Sequence, residues 1–330
     1  KDKAENFESP AALLERIGIT VFDSKEEQIL ALRPDLIGEY YVYQWMIKQR
    51  KEVIEYFLQM VWLQPKSTVV FFDRMFNDYK HLLNTNPEYW EVMIPENFLV
   101  SEEAAIYFSR LFLIAITSCM SICQCQKMIG LLKNIVTNYS EKLEIAINFA
   151  ESLFCLSFHQ EQKEIQKIVE QLEQLLSKYP ENLEIASYFA KVLYCLSLKQ
   201  EETEKIKETV ERLGQLTERY PKNLEIAVLF AESLYLLSTE QQERQKTIDQ
   251  LENLANKYPE NLEITISFAK GLSSLSYQQE ETKRAVNKLE QLIRKYPRNL
   301  EIIVSFAKSL VNLSAIQQEG IQETIDKLEE

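Results

Sequence analysis

Four near-identical blocks, Tyr-Pro-x-Asn-Leu-Glu-Ile, begin at Tyr179, Tyr220, Tyr258 and Tyr296. A weaker copy, Tyr139-Ser140-Glu141-Lys142-Leu143-Glu144-Ile145, precedes them, and the tyrosines are 38 to 41 residues apart. Each block runs into a modified Phe-Ala-x-x-Leu-x-x-Leu-Ser, as in Phe189-Ala190-Lys191-Val192-Leu193-Tyr194-Cys195-Leu196-Ser197. An eroded copy starts near Ser101, with Phe108 and Ser109 in the Phe-Ala places. A fixed period of this length marks an array of supersecondary units that must stack to bury their apolar faces.

Each unit reads as two helices. In the first, Leu183, Ala186, Phe189, Ala190, Leu193 and Leu196 recur at helical spacing on one face. The preceding Pro-Glu-Asn offers a turn, a capping residue and early negative charge. A polar link, Ser197 to Lys205, follows. The second helix carries Ile165, Ile168, Val169, Leu172, Leu175, Leu176 and Tyr179, and Pro180 ends it because its ring cannot continue the hydrogen-bond ladder. A small residue recurs at Ala150, Ala190, Ala231, Ala269 and Ala307, which lets a partner helix approach closely. Glycine is scarce, six in 330 residues, against the roughly 7% of ordinary proteins. The expected fold is all-α, a superhelical solenoid of helix pairs.

At this point the units resemble tetratricopeptide repeats. The small Ala of the first helix, the large apolar residues around it and the Pro closing the second helix sit in that family's phase. Two departures stand out. The period is about four to seven residues longer than the family's 34, and the family's Trp, Gly and second-helix Ala are mostly replaced by Leu and Ile. The repeat array is expected over residues 101–330 as about six helix pairs. The last stops at Lys327-Leu328-Glu329-Glu330, short of a closing Tyr-Pro, and no Met opens the chain, so the sequence reads as part of a longer protein.

Residues 1–100 differ in character. All three tryptophans, Trp45, Trp62 and Trp90, lie there, and no repeat is visible. Two β-like runs, Gly18 to Phe22 and Gln28 to Leu32, precede helical patterns over 36–49, 51–63 and 66–83, with breaks at Pro65 and Asn84-Thr85-Asn86-Pro87. The run Leu32-Arg33-Pro34-Asp35-Leu36-Ile37-Gly38-Glu39-Tyr40, with Val53 to Trp62 and Phe71-Phe72-Asp73-Arg74, resembles the winged-helix end of bacterial NACHT/STAND-type NTPases. That resemblance implies a winged-helix-like remnant and helical linker over 1–100. It also implies a place downstream of a signalling ATPase motor and a sensing role such as antiphage defence. Read without it, Pro34-Asp35 is a plain helix start. No Gly-x-x-x-x-Gly-Lys-Ser/Thr is present to cradle a triphosphate.

Charge and composition exclude several functions. The net charge is −13 without a basic block, so nucleic acid is not an expected partner. The greasiest stretch, Leu111 to Ile116, is too short to span a bilayer. The five cysteines, Cys119, Cys123, Cys125, Cys155 and Cys195, show no paired metal-knuckle spacing, and His81 and His159 stand far apart. Cys119, Cys123 and Cys125 are expected as buried free thiols and Cys155 and Cys195 at a semi-exposed packing site, in a reduced, cytoplasmic setting with no metal, no cofactor and no catalytic residue. Protein binding is the function class that remains.

The candidate surface is a strip on the first helices, one, five, eight and twelve residues beyond the opening Leu. It reads Glu144-Asn148-Glu151-Cys155, Glu184-Tyr188-Lys191-Cys195, Glu225-Leu229-Glu232-Leu236, Glu263-Ser267-Lys270-Ser274 and Glu301-Ser305-Lys308-Asn312. First helices line the concave groove in the family that these repeats resemble, which makes Asn148, Glu151, Tyr188, Lys191, Leu229, Glu232, Ser267, Lys270, Ser305 and Lys308 the candidate partner-binding residues. The recurrent first Glu reads as a helix-dipole partner. The eighth position changes charge along the array, and a groove of changing charge can set a partner's register. Three readings stay open: a sensor that binds a protein trigger, a constitutive adapter that holds peptide tails, and a self-assembling homo-oligomer.

Overall fold

The computed structural model describes residues 22–23, 28–29, 45, 48, 64–78, 102–118, 122–240, 243–275 and 279–317. The chain divides into two compact units, Lys1–His159 and Gln160–Glu330. The fold is all-α, built from helix pairs stacked as a solenoid.

In the first unit, Phe22–Asp23 (β1) and Gln28–Ile29 (β2) pair antiparallel, Phe22 opposite Ile29. This two-residue ladder touches both β-like runs; the residues of the winged-helix resemblance from Leu32 to Trp62, and the helices expected over 36–49 and 51–63 apart from Trp45 and Lys48, lie outside the described residues. The third expected helix is α1, Pro65–Asp78, and residues 79–83 again lie outside the described ones. Pro65 opens α1 at a position where a missing N–H leaves no helical bond unmade. Helix α1 packs on α2 (Glu102–Ser118), which in turn packs on α3 (Ile122–Asn138) and α4 (Leu143–Ser157). The eroded first copy is therefore a true helix pair, α2 with α3, and its Phe108 and Ser109 are buried as the Phe-Ala phase requires.

The second unit runs α5 (Gln162–Lys178), α6 (Leu183–Lys199), α7 (Thr203–Arg219), α8 (Leu224–Ser238), α9 (Arg244–Lys257), α10 (Leu262–Ser273), α11 (Gln279–Lys295) and α12 (Leu300–Gln317). Each helix packs on the next, and the first helices α6, α8, α10 and α12 also pack on one another in succession. One apolar cluster runs without a break from α7 to α12 through Val210, Ala231, Leu234, Leu251, Ile264, Ala269, Leu289 and Ile302. Burying each such Leu or Ile contributes about 1.5–3 kcal/mol, which an isolated pair would forfeit on its uncovered side. The phase-setting alanines 190, 231 and 269 have no exposure, as close helix approach demands.

Two local expectations are corrected. The link read as Ser197 to Lys205 is only 200–202, because α6 continues to Lys199 and α7 begins at Thr203. Leu183, placed on the apolar stripe by its spacing, is half exposed, and Ile185 takes the buried place two residues on. Leu183 is the first residue of α6, where the chain is still turning out of the corner and the neighbouring helices do not yet cover it.

Candidate functional site

The corners between units set the geometry. Tyr179, Tyr220 and Tyr258 leave the helical region at φ near −120° and ψ near 62°, because the proline that follows each disfavours helical backbone there. The Asn that follows then caps the next helix: Asn182, Asn223, Asn261 and Asn299 each accept, through Oδ1, the backbone N–H three residues on, at 2.8, 3.2, 2.9 and 3.0 Å. The weaker copy has Lys142 at this place, with no side-chain cap bond. The tyrosines reach back one unit. Tyr220 Oη donates to the Pro180 carbonyl at 2.6 Å, Tyr258 to Pro221 at 2.8 Å and Tyr296 to Pro259 at 3.1 Å. Burial pushes the Tyr220 hydroxyl up from its ordinary pKa, and the Glu181 charge adds to this while Arg219 opposes it. These bonds tie each corner to the one before it and hold successive units at one spacing.

Within the second unit the strip positions fall on the layer where first helices touch. Lys191 on α6 pairs with Glu225 on α8 at 2.8 Å, and Lys270 on α10 pairs with Glu301 on α12. The eighth position of one unit thus holds the first Glu of the next. Lys191 also lies 5.1 Å from the centre of the Tyr188 ring. Where the eighth residue is Glu232, the bond partner is Tyr194 on α6. Burial, reinforced by the Glu232 charge and hydrogen bond, pushes the Tyr194 phenol up to about 12. Tyr188, Leu229, Glu232 and Lys270 are half-buried and Lys308 is exposed. Ser267 and Ser305 are buried, only 5% and 3% exposed, so they add nothing to an open surface; Ser305 Oγ donates to the Glu301 carbonyl at 2.9 Å. Cys195, at the twelfth position, is buried as well.

On α4, in the first unit, Asn148 Nδ2 donates to Ser109 Oγ of α2 at 2.8 Å, and Glu151 is half-buried. Asn148 thus ties one first helix to its predecessor, as the Lys-Glu pairs do in the second unit. Cys125 is a buried thiol that burial pushes above its ordinary pKa; Cys119 and the side chain of Cys123 lie outside the described residues.

The cross-helix bonds escaped the sequence reading, which assigned the recurrent Glu to the helix dipole alone. A signal was present: Lys at the eighth position precedes Glu at the first position of the next unit in Lys191–Glu225 and Lys270–Glu301. It went unread because i,i+4 pairing within one helix is the familiar pattern.

The second helices are arranged differently. Clefts separate them, floored by the Phe of the Phe-Ala pair and bridged by long side chains. Phe189 floors the cleft between α5 and α7, where Arg212 sits 5.4 Å from its ring centre and reaches Glu173 at 3.1 Å. Phe230 floors a 440 Å³ cleft between α7 and α9, spanned by Lys207 and Glu243 at 2.8 Å. Phe268 and Ala255 line the next cleft, between α9 and α11, where Lys288 meets Glu252 at 2.6 Å.

Compared with known families, residues 272–299 match the tetratricopeptide repeat model. The match runs from the end of α10 through α11 to the Tyr296-Pro297-Arg298-Asn299 corner, which confirms the phase of the second helix and its closing proline. These are tetratricopeptide-like repeats. The matched unit is the one that carries the family's small residue in its second helix: the buried sites equivalent to Ala285 hold Met128, Ile168, Thr209 and Thr247 elsewhere. No curated protein matches the chain. Helical repeats of this type serve protein–protein interaction and are typically non-enzymatic. Among the described residues, no group of His, Cys, Asp or Glu could hold a metal ion, and no helix is long and apolar enough to cross a membrane.

Proposed function

We propose that the protein is a recognition module that binds a protein partner along the first-helix face of its second unit. The observation that carries this reading is the half-exposed pair Tyr188 and Leu229, at equivalent places on adjoining helices α6 and α8. An aromatic and an aliphatic anchor occupy equivalent places on adjoining helices, with the Lys191–Glu225 pair and Glu232 beside them. That combination suits a partner's apolar residue and fixes its direction. First helices touch while second helices are parted by clefts, and a stack tighter on one side bends toward it, which supports the first-helix face as the inner one.

The finer reading joins this surface to the resemblance over residues 1–100. The chain is then the sensor part of a cytoplasmic STAND-type ATPase, in which trigger binding on the repeats releases the motor, with bacterial antiphage defence as the setting. Support comes from the quoted residues between Leu32 and Arg74 and from the repeat array that follows them. The second reading is an adapter for peptide tails, which the same anchor pair would also serve.

Photo-crosslinking in the native cell tests both. A photoreactive residue at 188 or 229 is expected to give one defined protein adduct, and at Asn253, exposed on α9, none. Adducts from 253 with none from 188 or 229 would overturn the first-helix site. Adducts of short peptides in place of a folded protein would overturn the sensor in favour of the adapter.

A further inference from the structure

We infer that the corner edge of the second unit is a self-complementary surface that pairs two copies of this chain antiparallel. The opening leucines Leu183, Leu224, Leu262 and Leu300 are 52%, 51%, 39% and 72% exposed. Each stands at the start of its first helix, where the fold does not cover it, yet the residue is Leu every time. The Tyr-to-Pro hydrogen bonds hold the corners in regular succession, so these leucines recur as an apolar row, the mark of an interaction surface.

Charge says what covers the row. The residue between Pro and Asn in successive corners is Glu181, Lys222, Glu260 and Arg298, all exposed. None of them forms an ion pair among the described residues. The signs run minus, plus, minus, plus. In an antiparallel two-fold pair the first corner faces the fourth and the second faces the third, so Glu181 meets Arg298 of the other copy and Lys222 meets Glu260. All four contacts are then attractive and the assembly closes on itself. In a parallel in-register pair every contact joins like charges, which penalises that arrangement.

The glutamates that follow each Leu point the same way. Glu225 and Glu301 are already neutralised by Lys191 and Lys270, whereas Glu184 and Glu263 form no ion pair among the described residues. Antiparallel pairing sets Glu184 against the neutralised Glu301, and Glu263 against the neutralised Glu225. Parallel pairing would set bare Glu184 against itself. Two independent charge patterns therefore favour one orientation.

Sedimentation of the intact chain over a concentration series at low salt tests this. A monomer–dimer equilibrium is expected. Lys222→Glu should weaken it by about tenfold or more, on the scale of a misplaced interface charge. Lys222→Glu combined with Glu260→Lys restores opposite charges at both central contacts and should recover the dimer; Leu224→Lys with Leu262→Lys should abolish it. All positions are exposed, and unchanged circular dichroism confirms that the fold persists. A monomer at every concentration, a dimer indifferent to Lys222→Glu, failed recovery in the double swap, or growth into open-ended species would each overturn the inference. Crosslinking from 188 and 229 in the Lys222→Glu chain reports separately on the first-helix site.

Discussion

Helix α6 buries ten residues between Ile185 and Ser197, whereas its neighbour α5 buries six, all on one stripe from Ile165 to Leu176. The difference runs through the second unit. First helices are enclosed by second helices and by one another, so small residues such as Ala190 and Ala231 let them meet, and short polar bonds such as Lys191–Glu225 finish the contact. Second helices lean on the first layer with one stripe and meet each other across clefts through Lys and Arg. The same repeat thus builds a packed layer and an open one. The pairs that bridge the clefts are part-buried and still open to solvent, so each contributes little, about 1 kcal/mol, and the packed layer carries most of the stability.

The largest effect should come from crowding the packed layer. Ala231→Leu inserts a large side chain where Ala231 has no exposure, and overpacking there should cost about 1–3 kcal/mol in urea unfolding. Ala255→Leu makes the same change beside the cleft between α9 and α11, and is expected to cost well under about 1 kcal/mol. Equal losses would erase the distinction between the layers.

A middle effect belongs to the corners. Asn223 caps α8 and its Nδ2 donates to Ser187 Oγ of α6 at 2.9 Å, so it serves a helix end and the packed layer together. Asn223→Ala should lose about 1–2 kcal/mol. Ser187→Ala removes only the second bond and should lose less, measured by the same unfolding curve.

Last comes a pH response confined to the packed layer, cut down by the partial exposure of Tyr194. The Tyr194 phenol is pushed up to about 12, chiefly by burial and then by Glu232, against about 10 in an unfolded chain. The folded state therefore holds that proton more tightly. The contribution is fully present below pH of about 10 and is lost as pH rises toward about 12. Tyr194→Phe should remove a late-titrating tyrosinate absorbance and flatten the decline of stability over that range. No change in the titration would show that the Tyr194–Glu232 contact does not form in solution.

Much of this architecture is written in the sequence because its causes are local. Pro180 ends α5 and Asn182 caps α6 whatever the rest of the chain does, and a 3.6-residue apolar rhythm marks a helix before any neighbour is known. Ala231 could be read as a close-approach point for the same reason. The exposed Leu183 shows where this stops: its spacing matches the buried stripe, but burial at a helix start depends on what lies over it. The strip was likewise legible only as a set of offsets, and which of its members stay open was not.

The amino-acid order alone determined the helix pairs, their boundaries to within a few residues and the stacking that their one-sided greasiness requires. Only the tertiary structure decided that Lys191 and Lys270 meet the glutamates of the next unit, that Ser267 and Ser305 are closed while Tyr188 and Leu229 remain reachable, and that four leucines stand uncovered at the corners. Turn and period are properties of neighbouring residues along the chain. Exposure and pairing are properties of residues brought together from some forty positions apart, and they exist only once the units have stacked.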